Sequence, residues 1–156
     1  MNRFTARTEA RALVAAERQA IWDALVDPGL LARMTPFVRS IEAEDDRWFW
    51  QMSGLEVLGV GFTPAFTEKM TFSGLERIDF AHEPPPGASE RTGVNGWYHL
   101  AEADGGTLLR TSLEVVVELP LPRLSSPAVT TAMKGVMATM GDRFSKNLLD
   151  HLGIRR

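Results

Sequence analysis

Glu68 is the residue whose surroundings in the sequence most clearly suggest chemistry. The segment Ala65–Ser73 alternates like a β-strand, and the alternation places Phe66, Glu68, Met70 and Phe72 on one face. A carboxyl group among apolar neighbours loses hydration, which raises its pKa and makes it a candidate for proton transfer. A salt bridge, an edge position or a bulge that turns it outward would instead make its role structural.

His82 is the second candidate for proton transfer, because it ends another alternating apolar strand near the rim of the same face. With Glu68 it could form an acid and base pair on one wall of a sheet. A histidine at the end of a strand can also be held simply by a hydrogen bond. Tyr98 and Thr111, on later strands, are further polar groups that could orient a ligand.

Several other kinds of site are excluded by the sequence. The absence of cysteine removes thiolate nucleophiles, disulfides and cysteine-bound zinc, and three dispersed histidines do not suggest a metal. Gly59-Val60-Gly61 has no third glycine and opens no helix, so it is not a dinucleotide fingerprint. The chain also lacks a Walker lysine and a G-x-S-x-G nucleophile elbow. We therefore expect no metal and no cofactor.

Charge and hydropathy limit the partners and the location. The net charge of −3 comes from scattered residues without a basic stripe, so we expect no nucleic-acid partner. No run approaches the roughly 20 apolar residues of a membrane span, and the N-terminus lacks the apolar core of a signal peptide. The expectation is a cytoplasmic protein. A chain of 156 residues is expected to form one domain, residues 1–156.

The elements that would position these residues follow a simple order. A first strand, Phe4–Val14, precedes two short helices, Glu17–Val26 and Pro28–Met34, with Asp27 as the cap of the second. A meander of six strands joined by hairpin turns follows, which predicts an antiparallel sheet. The six strands are Val38–Ala43, Arg47–Ser53, Ala65–Ser73, Glu76–Glu83, Val94–Ala103 and Thr107–Leu119.

A single long helix, Ser125–Leu152, closes the chain and must lie across the sheet. Ser125 or Ser126 is expected to cap its start, with Pro127 at the first helical position and Gly153 in a left-handed conformation after its end. Its apolar positions recur at steps of three and four residues, so one face should contact the sheet. They are Val129, Met133, Val136, Met137, Met140, Phe144, Leu148 and Leu152.

The first helices carry a resemblance to a known superfamily. The string Ala20–Ala32, with Pro36 and Ile41-Glu42 after it, resembles the start of the SRPBCC superfamily, which is START-like and polyketide-cyclase-like. Gly105-Gly106-Thr107 and the alternating strand after it resemble its penultimate turn and last strand. The resemblance implies an α+β helix-grip fold, in which a curved antiparallel sheet of about seven strands wraps the C-terminal helix and leaves a cavity. Members bind lipids, sterols and polyketides, and a minority catalyse cyclisation or dehydration.

The cavity would be lined by the apolar faces already described and by a few polar groups. Methionines can form a deformable lining for varied ligands, although they can equally fill an ordinary core. Gly54–Pro64, with Phe62, is the expected moving gate together with the second short helix. The candidate ligand-binding residues are Met34, Trp48, Trp50, Met52, Phe62, Phe66, Glu68, Met70, Phe72, Phe80, His82, Tyr98, Thr111, Met133, Met137, Met140 and Phe144.

Three functions remain open on these grounds. The first is a binding or carrier protein for an apolar or amphipathic small molecule, lipid-like or polyketide-like, held between sheet and helix. The second is a cyclase or dehydratase in which Glu68 or His82 acts as general base and Tyr98 donates a hydrogen bond to an enolate. The third is an interaction module of the co-chaperone type, in which exposed Trp97 and His99 contact a partner or form a homodimer.

Overall fold

An antiparallel sheet of seven strands forms the framework of the computed structural model, which describes residues 1–154. Its strands run in the order β1-β9-β8-β7-β6-β3-β2, and β4 and β5 form a separate hairpin. This architecture confirms the predicted helix-grip fold. The elements are β1 (Asn2–Val14), α1 (Arg18–Leu25), α2 (Pro28–Met34), β2 (Val38–Glu44), β3 (Arg47–Met52), β4 (Leu55–Val57), β5 (Val60–Phe62), β6 (Ala65–Ser73), β7 (Arg77–His82), β8 (Thr92–Ala103), β9 (Gly106–Leu119) and α3 (Ser126–His151).

The two short helices after β1 have the predicted bounds within one residue. The Asp27 side chain accepts a hydrogen bond from the Leu30 N–H at 3.1 Å, and Pro28 follows at the first helical position. In α1, Ile21 and Leu25 are buried against the sheet because they lie four residues apart on one face. Both helices therefore pack in the larger core cluster, on the same face of the sheet as Trp48 and Phe66.

The segment Gly54–Pro64, expected as a gate, folds into the hairpin of β4 and β5. Its turn residues Leu58 and Gly59 have φ of 49° and 79°, which is typical of a type I′ hairpin turn. Val57 is buried and anchors the hairpin to the core. The sequence pattern did not predict this hairpin because three residues per strand are too few for alternation to be recognised.

The start of α3 differs from the prediction, whereas its end agrees with it. A turn of 3-10 helix, Arg123–Ser125, precedes the helix, and the Ser125 side chain makes no capping hydrogen bond. Ser125 already has helical φ and ψ of −78° and −2°, which prevents the extended geometry of an N-cap. Ser126 is the first helical residue and Pro127 the second, and Gly153 follows the helix with φ of 73°. Within residues 1–154, no helix combines the length and apolar character needed to cross a lipid bilayer.

The core consists of two clusters that contact opposite ends of α3. Val129 and Met133 pack in one cluster with β1, the end of β9 and the hairpin. Leu148 packs in the other with α1, α2 and the strands β3, β6 and β7. Between these anchors the apolar residues of α3 are only half-buried. The Asn147 amide donates a hydrogen bond of 2.8 Å to the carbonyl oxygen of Met34, which ties the helix to α2.

Candidate functional site

The concave face of the sheet, which packs against the helices, carries the buried carboxyl group that the alternation of β6 predicts. Glu68 lies between Trp48 of β3 and His82 of β7 in the register of the sheet. Its exposed fraction is 3%, and Phe66 and Met70 on the same face are equally buried. No Lys, Arg or His side chain forms a salt bridge with Glu68 in the part of the chain that the structure describes.

Burial changes the protonation of this group. Loss of hydration raises the pKa of Glu68 from 4.5 to about 8, and the nearby indole N–H of Trp50 partly opposes the rise. Trp50 Nε1 is itself buried and makes no hydrogen bond of good geometry within residues 1–154. The Glu68 carboxyl is therefore mostly protonated at neutral pH and can donate a hydrogen bond to a ligand oxygen.

Tyr98 is the second polar group whose ionisation reflects this interior. Burial raises the pKa of the Tyr98 phenol above its usual value, and the Glu68 carboxylate raises it further because two negative charges repel. The tyrosine ring packs against Phe80 with centroids 5.6 Å apart. Tyr98 and Leu100 thus belong to the concave face, and the alternation of β8 places Trp97 and His99 on the convex one.

Aromatic rings build the wall around the carboxyl group. Trp50 stacks on Phe66 with centroids 5.7 Å apart and ring planes inclined by 15°. Phe72 contacts both Trp48, at 6.0 Å between centroids, and Trp22 of α1, at 6.2 Å. Since Phe72 is 41% exposed, this trio lies at the rim and links α1 to the sheet.

His82 is bound to a residue that the sequence did not single out. Its Nε2 lies 2.9 Å from the Glu90 carboxyl, and Glu90 also accepts hydrogen bonds from the Thr67 N–H at 2.8 Å and the Thr67 hydroxyl at 2.7 Å. The partner of the imidazole is thus Glu90 and not Glu68. Glu90 lies in the connection after three prolines, where no periodicity predicts which way a side chain points. Among residues 1–154, no three potential ligands are grouped as a metal site requires.

The predicted lining residues divide by burial and by cluster. Phe62, Met133 and Met137 belong to the cluster at the start of α3, and most of the others pack in the larger cluster. Thr111 lies opposite Tyr98 in the register of β8 and β9. The buried ones are Met34, Trp48, Met52, Phe66, Glu68, Met70, Phe80 and Met133; the half-buried ones are Trp50, Phe62, His82, Tyr98, Thr111, Met137, Met140 and Phe144; Phe72 is exposed.

Solved structures with this fold include START-like proteins and aromatase/cyclases. A START superfamily protein from Mycobacterium smegmatis matches with a TM-score of 0.65 and 15% identity, over 93% of this chain and 95% of that chain. Zhui aromatase/cyclase from Streptomyces sp. R1128 matches with a TM-score of 0.63 and 13% identity, over 93% and 94%. The di-domain ARO/CYC StfQ from the steffimycin biosynthetic pathway matches with a TM-score of 0.64 and 13% identity, over 97% of this chain and 53% of StfQ.

These similarities define the fold of the chain. The search of protein-family models and the search of curated proteins find no match to the sequence. The chain has the helix-grip fold of the START-like SRPBCC proteins, as the string Ala20–Ala32 predicted. It spans about half the length of StfQ. A fold of this kind carries many functions, so the function must be argued from the residues of the site.

Proposed function

We propose that this protein binds an apolar or amphipathic small molecule between the concave face of its sheet and α3. The observation that carries the proposal is Glu68, a carboxyl group buried among aromatic rings without a basic partner in the described residues. Burying a carboxyl group in this way costs free energy, and a hydrogen bond to a ligand would offset part of that cost. A purely structural core would place an apolar residue at this position.

The packing of α3 supports a ligand space under the middle of that helix. Met137, Met140 and Phe144 face the sheet but are only half-buried, in contrast to Met133 and Leu148 on either side. The middle of the helix therefore packs less completely than its ends. Apolar surface covered there by a ligand would contribute roughly 25 cal/mol per Å² to binding.

The polar groups restrict the kind of ligand. Protonated Glu68, the Tyr98 hydroxyl and the Trp50 N–H are all hydrogen-bond donors at neutral pH. Three donors in an apolar interior favour a ligand with an acceptor oxygen, such as a carbonyl, on an otherwise apolar body. A ligand carboxylate is disfavoured because its charge would be desolvated without a cation nearby.

Native mass spectrometry of the purified protein and displacement of a bound hydrophobic dye would test this proposal. We expect a bound small molecule or saturable dye binding, and Glu68→Leu should weaken the binding of a ketone-bearing ligand more than that of a plain alkane. Glu42→Leu on the exposed surface of β2 is the matched control and should leave the binding of both ligands unchanged. Absence of saturable binding in the wild-type protein would refute the proposal.

A second candidate function is a cyclase or dehydratase, and the ionisation of Glu68 favours it. The Glu68 pKa of about 8 lies closer to physiological pH than the pKa of an ordinary carboxyl group. Glu68 is therefore better matched to proton transfer. Tyr98 would then donate a hydrogen bond to the developing enolate oxygen. With a synthetic poly-β-ketone, Glu68→Gln should lower turnover by about 10²-fold or more. Product formation at the spontaneous rate by the wild-type protein would leave binding alone as the function.

A further inference from the structure

The convex face of the sheet, opposite the proposed ligand space, carries a row of basic residues that the scattered charges of the sequence did not reveal. In the register of four neighbouring strands, Arg77 of β7 lies beside His99 of β8, His99 beside Arg110 of β9, and Arg110 beside Arg11 of β1. Neighbouring strands are about 4.8 Å apart, and paired residues point to the same face. The basic side chains of the row are therefore held side by side by the backbone.

Trp97 holds two of these guanidinium groups in place. The guanidinium carbon of Arg77 lies 4.7 Å from the centre of the Trp97 ring, and that of Arg110 lies 5.7 Å from it. Arg77 is also paired with Asp79 at 3.0 Å. Arg11 and Arg110 form no salt bridge with any side chain of residues 1–154. The row thus has one neutralised guanidinium and two that are free to bind an anion.

Two features of the row are unfavourable for the protein on its own. Arg11 and Arg110 are direct cross-strand partners, and like charges in this arrangement repel. The Nδ1 atom of His99, between Arg77 and Arg110, is buried and has no hydrogen-bond partner in the described part of the chain. The repulsion between Arg11 and Arg110 would fall if an oxoanion bound between them, since its oxygens would attract both guanidinium groups and accept hydrogen bonds from them.

A cleft lies on this face beside the two free arginines. Its volume is about 250 Å³, which is below the usual size of a pocket for a drug-sized ligand but sufficient for an oxoanion with a short substituent. Glu9 is the one carboxylate among the lining residues of the cleft. Its negative charge opposes the binding of an anion, which the two arginines favour. The lining residues are Glu9, Ala10, Arg11, Trp97, Arg110 and Thr111.

We propose that Arg11 and Arg110, with Trp97 beside them, form a binding site for the phosphate or carboxylate group of a small molecule on the convex face. The planar guanidinium group suits such an oxoanion because it can donate two parallel hydrogen bonds. Trp97 restricts the Arg110 side chain and so lowers the entropy lost on binding. Thr111 is common to the cleft and to the predicted interior residues, but the two arginines lie on the face opposite Glu68 and need no ligand in the interior.

Titration of the ¹⁵N-labelled protein with inorganic pyrophosphate and with citrate, at constant ionic strength, would test the site by NMR. We expect saturable shifts of the Trp97 indole N–H signal, assigned with Trp97→Phe. Arg110→Gln and Arg11→Gln should each weaken binding about tenfold, since each removes a charge-assisted hydrogen-bond donor. Glu9→Gln should tighten it, because the substitution removes a repelling charge.

Arg39→Gln is the matched control, since Arg39 is an exposed arginine on β2 outside the row. Its affinity for pyrophosphate should equal that of the wild-type protein. Equal shifts from sodium chloride alone, or unchanged affinity in Arg110→Gln, would overturn the proposal. Tighter binding of a hexaglutamate peptide than of either small anion would also overturn it, because an acidic protein segment would then be the better occupant.

Discussion

Glu68 illustrates a conflict between stability and function at a single residue. The strands β3, β6 and β7 are stabilised by burial of the same apolar face on which its carboxyl group lies. A leucine at this position would add apolar burial and remove the desolvation cost. Sites of this kind are expected where a protein gives up stability in order to bind or react.

The protonation of Glu68 predicts how stability depends on pH. Because its pKa is about 8 in the folded protein and 4.5 as the ordinary value, the folded state retains a proton that the unfolded state loses between these limits. The contribution of protonated Glu68 to the free energy of unfolding is complete below about pH 4.5 and is lost as the pH rises to about 8. In urea unfolding, the free energy of unfolding of the wild-type protein should fall by more than about 2 kcal/mol relative to that of Glu68→Gln across this pH range.

An exposed glutamate provides the control for this measurement. Glu42→Gln on β2 removes a carboxylate that is in contact with solvent, so its pH profile should run parallel to that of the wild type. Parallel profiles for Glu68→Gln would show that Glu68 ionises normally and is hydrated in the folded protein. Neither function proposed for its carboxyl group would then retain its main support.

The contrast between Glu68 and Glu90 shows which single residues the sequence could reveal. The alternation of β6 has a period of two over nine residues, so the face on which Glu68 lies could be predicted. Glu90 follows Pro84-Pro85-Pro86-Gly87, and the position of such a side chain depends on the whole path of the connection. For the same reason the pairing of His82 with Glu90 could not be predicted, although its strand could.

At the scale of elements, Glu90 completes the hydrogen bonding of β6 where β7 ends. The Thr67 carbonyl oxygen accepts from the Glu83 N–H at 3.0 Å, but the chain turns away at Pro84, and the Glu90 carboxyl accepts from the Thr67 N–H. The carboxyl group thus takes the place of a backbone carbonyl. With an exposed fraction of 8%, it is largely shielded from water that could compete.

Glu90→Ala should therefore destabilise this part of the sheet. The substitution leaves the Thr67 N–H and hydroxyl and the His82 ring without their acceptor, which we expect to cost about 1–3 kcal/mol in the free energy of unfolding. Hydrogen exchange of the Thr67 amide should become faster than that of other amides in the sheet. A uniform loss of stability would instead speed up exchange at all of these amides. Glu76→Ala, at an exposed position before β7, should change neither quantity.

The long elements were predictable, and the short ones were not. The strands β6 to β9 and the helix α2 match the expected bounds within two residues, because each has a sustained period or a clear cap. The hairpin β4–β5 escaped recognition because its strands pair only with each other over three residues. The missing Ser125 cap depends on the preceding 3-10 turn, whose geometry is determined by tertiary contacts.

At the scale of the whole molecule, the sheet has two faces with different chemistry. The concave face is apolar with a few buried donors, and the convex face carries charged side chains around Trp97. Because side chains alternate along each strand, Tyr98 and Trp97 are neighbours in sequence but belong to different proposed sites. The sheet separates Glu68 from Arg11 and Arg110, so these groups can be altered by substitution without direct contact between them.

The division of the core into two clusters leads to a test of the interior by substitution on β9. Leu113 is half-buried on the concave face, next to Gly96 and in the less completely packed region facing α3, whereas Leu109 on the same strand is buried. If the region holds a ligand space, Leu113→Phe should change the free energy of unfolding by less than about 1 kcal/mol and weaken dye binding at least about tenfold. Leu109→Phe should cost about 1–3 kcal/mol from overpacking. An equal cost for both variants in urea unfolding would mean that the interior is uniformly filled, and the binding proposal would fail with it.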